Sequence, residues 1–440
     1  RNMNWNGILP YANGVVVAGQ TSWEFGFAMY LARYQANGQL LWDSTLVTPG
    51  SSSLRQLAAD NLGNLYVTGA ESIGGSGQVQ VHMWKFSPGG QVIWHTTYRG
   101  PAALYAQATD MKLAGDHLYL CGQQQTSANW PVAWVAKFDL DGNLVWENAF
   151  DPGLDTYLFS LAVDAAGVVT AVGSANDGFS FLALQYASNG NLNWQYPASL
   201  SSSLTQGLSE VVADELGHVY AVGTRESGSF ESDIITLKLG PGGNKIWEKN
   251  FTNQSQNEGR KIRLAPAGTI YTLGNLSNAA FALAIHYDTA GSVVWTRSFQ
   301  VGLSPLLADA VVDASGDVFL AVEDFDSVGV ARITSAGALA ASRTYGLEQA
   351  NYIGGIALSG GSLFAAGAGG AGNRATLFGF QPASLQQNLL VEAFGTAQSD
   401  ARPGAITADG SHAWLSTFSD DGDSAVFAVT KMDANGNFVW

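Results

Sequence analysis

Carboxylates are the one ionisable group in surplus in this 440-residue chain, which carries 36 Asp+Glu against 20 Lys+Arg. Their densest run is Asp420-Asp421-Gly422-Asp423, with Asp324 and Asp326 as a smaller pair upstream. Carboxylates on a glycine-containing loop suit Ca²⁺, a hard cation that accepts irregular oxygen geometry. The run matches no EF-hand loop, and a solvated acidic loop is the plainer reading. Calcium bound by Asp420, Asp421 and Asp423 is therefore the one cofactor the composition suggests.

The six histidines, His82, His95, His117, His218, His286 and His412, form no i,i+2 or i,i+4 pair, so a metal cluster is expected only across the middle of an assembled fold. His117 and His218 stand in equivalent turns, a sign of repeat geometry. No GxSxG, HExxH, CxxC or phosphate-binding glycine loop occurs, so no catalytic residue is assigned. Cys121, alone in the apolar stretch LYLCG, reads as a buried and inert thiol and excludes an intrachain disulfide.

The elements that must position any such group declare themselves by repetition. Trp42, Trp94, Trp146, Trp194, Trp247, Trp295 and Trp440 each follow a glycine by four positions, at intervals of about fifty residues. A fixed offset from a turn glycine marks these tryptophans as packing between repeats. A second marker is an apolar strand closing on glycine, at Gly19, Gly69, Gly122, Gly173, Gly223, Gly274 and Gly367, with Glu323 and Thr417 in that place in two units. Before it comes an Asp-x-x-Gly turn, as at Asp60–Gly63 and Asp214–Gly217, where Asp accepts from backbone N–H groups and Gly tolerates positive φ.

Each unit thus reads as four antiparallel strands A to D, the plan of a propeller blade. The expected fold is an all-β propeller of nine blades in one array, approximately 1–46, 47–98, 99–150, 151–200, 201–251, 252–299, 300–345, 346–394 and 395–440. Ala341 and Leu390 then replace the tryptophan of units seven and eight. An eight-bladed ring with a divergent extra unit is the alternative. The chain stops on Trp440 inside a D strand, so a further domain is expected beyond it.

Connections B–C and D–A read as long and variable, A–B and C–D as short, and the two classes emerge at opposite ends of a blade. On the long-loop end, Trp23, Phe25, Tyr98, Tyr105, Trp130, Tyr157, Phe179 and Phe230 lie among Ser, Asn, Gln and Gly. Flat rings amid short polar groups suit a glycan or a protein partner. The net charge of -16 opposes nucleic acid, and no apolar run reaches the length of a membrane-spanning helix.

Units such as Val135-Ala-Lys-Phe-Asp-Leu-Asp-Gly-Asn-Leu-Val-Trp146, each paired with a strand like GNLYVTG, resemble the bacterial β-propeller repeats known as SBBP repeats. That resemblance covers nearly the whole chain and implies an extracellular or outer-surface placement and membership of a larger surface assembly. The Gly-x3-Trp spacing is also similar, more distantly, to the tryptophan motif of quinoprotein dehydrogenases. Those enzymes carry a cysteine pair that a single cysteine cannot supply. The function expected is non-enzymatic: a binding or structural module. A glycan hydrolase or lyase with carboxylates at the ring axis is the competing reading, because the required carboxylate separation is spatial.

Overall fold

The computed structural model describes the backbone of residues 7–433 outside 12–13, 24–25, 36–39, 74–77, 101–104, 126–129, 198–204, 229, 254, 277–280, 301–305, 324–326, 347–351, 360–361, 370–373, 381–382, 384, 386, 394–399, 409–411 and 421–424, and the side chains chiefly of 41–344. The described residues are almost entirely β, with one short 3-10 turn at Pro266–Gly268. Strands follow one another in antiparallel sets: set 1 over 7–46, set 2 over 51–98, set 3 over 105–150, set 4 over 156–196, set 5 over 206–251, set 6 over 257–300, set 7 over 306–346, set 8 over 352–393 and set 9 over 400–433. Sets 1 to 8 have four strands in the order A-B-C-D, and set 9 has three described strands. Sets 2 and 3 are joined into one sheet by a single parallel pairing, Val79 with Tyr105.

The chain forms two compact units, one of residues 1–21, 30–45 and 263–440 and one of residues 22–29 and 46–262. Within the first, strand Gly7–Tyr11 lies beside strand Asp400–Ala408. Within the second, sets 2 to 5 stack face to face, and the B and C strands of set 4, Val169–Ala175 and Ser180–Tyr186, are buried from end to end.

Local chemistry explains the turns. Asp60 Oδ1 accepts from Leu62 N at 3.0 Å and Asn64 N at 2.7 Å, and Asp139, Asp164, Asp214, Asp288 and Asp313 accept the same two backbone donors in their own turns. Gly63 and Gly217 close two of these turns at φ 79° and 78°.

The strand-B glycine has a different cause. Every A strand of sets 2 to 5 carries a β-bulge opposite it, at Leu54/Gln56, Ala108/Asp110, Leu158/Ser160 and Leu208/Glu210. The bulge pushes a carbonyl into the space a side chain would need: a Cβ on Gly122 would stand 2.0 Å from Gln107 O, and one on Gly173 1.9 Å from Tyr157 O. In set 7 the bulge faces Val322, between Leu307 and Asp309. The residue in the glycine place is therefore Val322, one position before the Glu323 expected from sequence; the shorter strand Val318–Glu323 hides the offset.

Loop lengths also differ from expectation. Strands B and C end within a few residues of one another, Leu65–Ile73 before Gln78–Phe86 and Val219–Gly228 before Glu231–Leu239, because the polar residues after the strand-B glycine continue the ladder: Glu71 pairs with Gln80 and Glu226 with Ser232. Polar character does not end a strand whose partner is equally extended.

Candidate functional site

The tryptophans lock one set to the next. Trp94 Nε1 donates to Leu140 O at 3.0 Å, Trp146 to Ser188 O at 3.0 Å, Trp194 to Pro241 O at 2.9 Å and Trp295 to Ser335 O at 2.9 Å. Each indole covers the turn glycine two residues further on, Gly142, Gly190, Gly243 and Gly337; a Cβ on Gly243 would fall 2.4 Å from the Trp194 ring. Inner-strand carboxylates add a second lock, with Asp110 accepting Leu161 N at 3.1 Å and Glu210 accepting Ile262 N at 2.7 Å. Those two acids are committed to joining neighbouring A strands. Burial pushes the Cys121 thiol well above its ordinary range, so it is held as the thiol.

Tyr105, Trp130, Tyr157, Phe179 and Phe230 lie at the B–C and D–A end of sets 3 to 5. Tyr105 Oη donates to Gln107 Oε1 and accepts from Gln123 Nε2 at 3.3 Å. Burial raises Tyr157, and Asp155, Asp177 and Tyr105 raise it further. Burial and the neighbouring Asp177 likewise raise Asp155. The turn 176–179 is drawn against set 5 by Gln206 N to Gly178 O at 2.6 Å, and leaves Phe179 38% exposed. Trp130 Nε1 donates to Asp151 Oδ1 at 3.2 Å. Phe230 stands alone at its hairpin, 87% exposed and at φ 68°.

Tyr98 does not belong to this group. It ends a D strand and stacks on Trp134 at 5.1 Å and 18°, edge-on to Phe138 at 5.6 Å, which makes it packing between sets 2 and 3. Trp23 closes strand Gly14–Trp23; its side chain and all of Phe25 lie outside the described residues. Of the acidic run, Asp420 ends strand His412–Asp420, while Asp421, Asp423, Asp324, Asp326 and Trp440 lie outside them. Among the described residues no group of three or more His, Cys, Asp or Glu is arranged to hold a metal ion.

Sequence reasoning missed a polar chain in set 2. The spacing of the histidines gives no sign that His82 and His95 meet, yet they sit on the adjacent strands Gln78–Phe86 and Val92–Tyr98. His82 Nδ1 lies 2.9 Å from His95 Nε2, and His82 Nε2 lies 2.8 Å from Glu71 Oε2. Gln80 Nε2 donates to Glu71 Oε2 at 2.6 Å, and Gly50 N donates to Glu71 Oε1 at 2.6 Å. Gly50 can come this close because it has no Cβ, which would sit 2.0 Å from Ser72 O.

Glu71 is 1% exposed and His82 2%, whereas His95 is exposed. Burial would lift the Glu71 carboxyl, but the hydrogen bonds from Gln80, Gly50 and His82 outweigh it and hold it below its ordinary range. Burial lowers His82 against the attraction of Glu71, and burial with His82 beside it lowers His95. Trp84 completes the group, nearly parallel to His95 at 4.6 Å and 8°.

Register shows that the repeat does not require this chain. The place of His82, opposite the strand-B glycine, is held by Trp134, Leu182, Ile235 and Leu283 in sets 3 to 6. The place of Glu71 is held by Gln124, Ala175, Arg225 and Leu276. Among the described residues of sets 3 to 6, set 5 fills the same slot with an ion pair, Arg225 to Glu248 at 2.8 Å. The signal was present in the sequence as a histidine at a position that is apolar in sets 3 to 6, visible once the strands are put in register.

No family model matches the chain, and no curated protein matches it. The resemblance to secreted bacterial repeats therefore rests on the repeat motif alone. Among solved structures, the chain is similar to dihydro-heme d1 dehydrogenase NirN, with TM-score 0.52, 16% identity, and coverage of 87% of this chain and 73% of that one. It is similar to the quinohemoprotein alcohol dehydrogenase of Comamonas testosteroni, with TM-score 0.52, 11% identity, and coverage of 95% and 70%. A eukaryotic initiation factor aligns with TM-score 0.52, 11% identity, and coverage of 93% and 92%. At such identities the likeness speaks for architecture: an all-β array of four-stranded antiparallel sheets of the propeller type.

Proposed function

We propose that this chain is a recognition module of an exported bacterial surface protein and binds a glycan at the B–C and D–A end of sets 3 to 5. Nine successive sets support nine blades over eight. The observation that carries the functional reading is Phe230, an apolar ring left 87% exposed at a backbone angle of 68°. A non-glycine residue in that region costs about 1–2 kcal/mol, and strain of this kind gathers at ligand clamps. At the same end of sets 3 to 5, Tyr105, Tyr157 and Phe179 supply flat faces and Gln107, Gln123 and Gln206 supply adaptable polar groups, a combination suited to sugar rings.

Phe230→Gly separates stability from binding. Glycine relieves the backbone and gives up no buried surface, so stability rises by roughly 1 kcal/mol, while affinity on a glycan array falls. Unchanged glycan affinity in Phe230→Gly, or capture of a protein partner that Phe230→Gly abolishes with no glycan bound, overturns the glycan reading. Thermal unfolding with and without added Ca²⁺, in the parent and in Asp420→Asn/Asp423→Asn, tests the calcium expectation.

A further inference from the structure

We propose that Glu71, His82 and His95 form a proton relay with His95 Nδ1 as its reacting atom, a general-base centre for hydrolysis of activated acyl esters. The proposal does not rest on the glycan reading: its residues lie in set 2, whereas that site lies in sets 3 to 5.

Proton positions along the chain follow from its ends. An ionised carboxylate only accepts, so Nε2 of His82 donates to Glu71. Neutral His82 then has a lone pair at Nδ1, and His95 Nε2 donates to it. His95 is left with an unprotonated Nδ1, which has no hydrogen-bond partner among the described residues. The two imidazoles are 20° from coplanar with centroids 5.1 Å apart, so their nitrogens meet head-on. That is the geometry of an N–H···N hydrogen bond; lone pairs converging on a shared metal ion would bring the ring centres closer. Trp84 covers one face of His95, and the residue as a whole is exposed.

Three features separate this chain from ordinary core satisfaction. Glu71 is buried and ionised, a state that is costly unless each oxygen is satisfied, and Gly50, Gln80 and His82 satisfy both. His82 occupies a place where an apolar residue serves the other described sets of the second unit. The relay also runs from a buried charge to an exposed base, the order in which a carboxylate orients and steadies a reacting imidazole.

In the reaction, a water oxygen attacks the ester carbonyl carbon as His95 Nδ1 takes its proton. The imidazolium keeps its Nε2–H on His82, and the Glu71 charge compensates it through His82. The carbonyl π electrons pass to oxygen and return as the C–O bond to the alcohol breaks, and His95 returns the proton to the departing oxygen. Products are the carboxylic acid and the alcohol, with His95 neutral again. His95 is the catalytic residue here; His82 and Glu71 are positioning residues.

The test is the rate of p-nitrophenyl acetate hydrolysis by the whole chain as a function of pH, beside ¹⁵N NMR of the His95 ring. His95→Gln is expected to lower the rate roughly 100-fold. Glu71→Gln, whose single carbonyl oxygen keeps the hydrogen bond from Gly50 but not the one from Gln80, is expected to lower it severalfold and to move the pH profile to lower pH, because the imidazolium loses its compensating charge. The NMR spectrum of the parent should show His95 protonated at Nε2 and bare at Nδ1. An unchanged rate in His95→Gln, an unchanged rate and profile in Glu71→Gln, or an Nδ1-protonated ring in the parent each overturns the proposal.

Discussion

At the scale of single residues, glycine is the most constrained participant. The strand-B glycine is legible in the sequence as a repeat marker, with no reason attached to it. Its actual role is to leave room for a bulged neighbour. Gly122→Ala places a methyl group 2.0 Å from Gln107 O, a backbone atom that cannot step aside without breaking the ladder between strands Tyr105–Ala114 and His117–Gln125. The expected loss exceeds about 3 kcal/mol in chemical denaturation, far more than the gain from replacing a strand glycine elsewhere. The same substitution at the exposed Gly89, where only Ser87 Oγ approaches, at 3.7 Å, should be nearly neutral. Histidine tells the opposite story. Nothing in the spacing of His82 and His95 suggested a pair, because a hairpin joins residues thirteen apart, and the sequence shows which positions oppose one another only after the register is known.

At the scale of elements, the Gly-x3-Trp motif divides its labour between neighbours. Glycine of one set receives the indole of the preceding set, and that indole donates to the carbonyl two residues before the glycine. The strand-C cation joins in: Lys85 Nζ donates to Leu140 O at 2.8 Å and lies 5.3 Å from the Tyr66 ring, while Lys137 reaches Ser188 O at 3.2 Å over Tyr119. Turn, indole and cation therefore form one joint. Trp295→Ala removes a nearly buried ring and its hydrogen bond to Ser335, and should cost about 3–5 kcal/mol in thermal or denaturant unfolding. Trp295→Phe keeps the area and loses the donor, so it should cost roughly 1–3 kcal/mol. Equal losses in the two variants would mean that the hydrogen bond, and not the ring, holds the joint. That the tryptophan is scaffold could be inferred from its fixed offset; its partner could not, because the offset within a unit says nothing of which neighbour the ring leans on.

At the scale of the whole molecule, the recurring acidic turns make stability a function of pH. Burial would raise Asp60, Asp139 and Asp214, but their backbone and side-chain hydrogen bonds hold each below the ordinary 3.8. The unfolded chain therefore binds protons more readily than the folded one, and this contribution is present above 3.8 and lost as pH falls through the folded values. His82 and His95 act in the same direction at a higher pH. Both are lowered from 6.5, so the unfolded chain takes up protons first and stability begins to fall as pH drops through 6.5. Thermal unfolding across pH 8 to 3 should show two declines in Tm, a small one beginning near neutrality and a larger one in the acid range. Glu71→Gln/His82→Leu should shrink the first, to which His117 and His286, also lowered by burial, contribute as well, and leave the second; a single acid decline in the parent would refute the assignment.

The sequence by itself determined the architecture: periodic glycine and tryptophan, alternating and apolar strands and Asp-x-x-Gly turns are local signals, and each acts within a few residues of where it is written. Tertiary structure alone decided the rest. It turned polar stretches read as long loops into paired strand ends, moved Tyr98 from the loop end into packing, brought Tyr105 and Tyr157 together, and aligned Glu71, His82 and His95. These outcomes depend on register and on the bulge that sets it. A shift of one residue along a strand carries every side chain to the other face, so chemistry that crosses strands exists only once the ladder has been fixed.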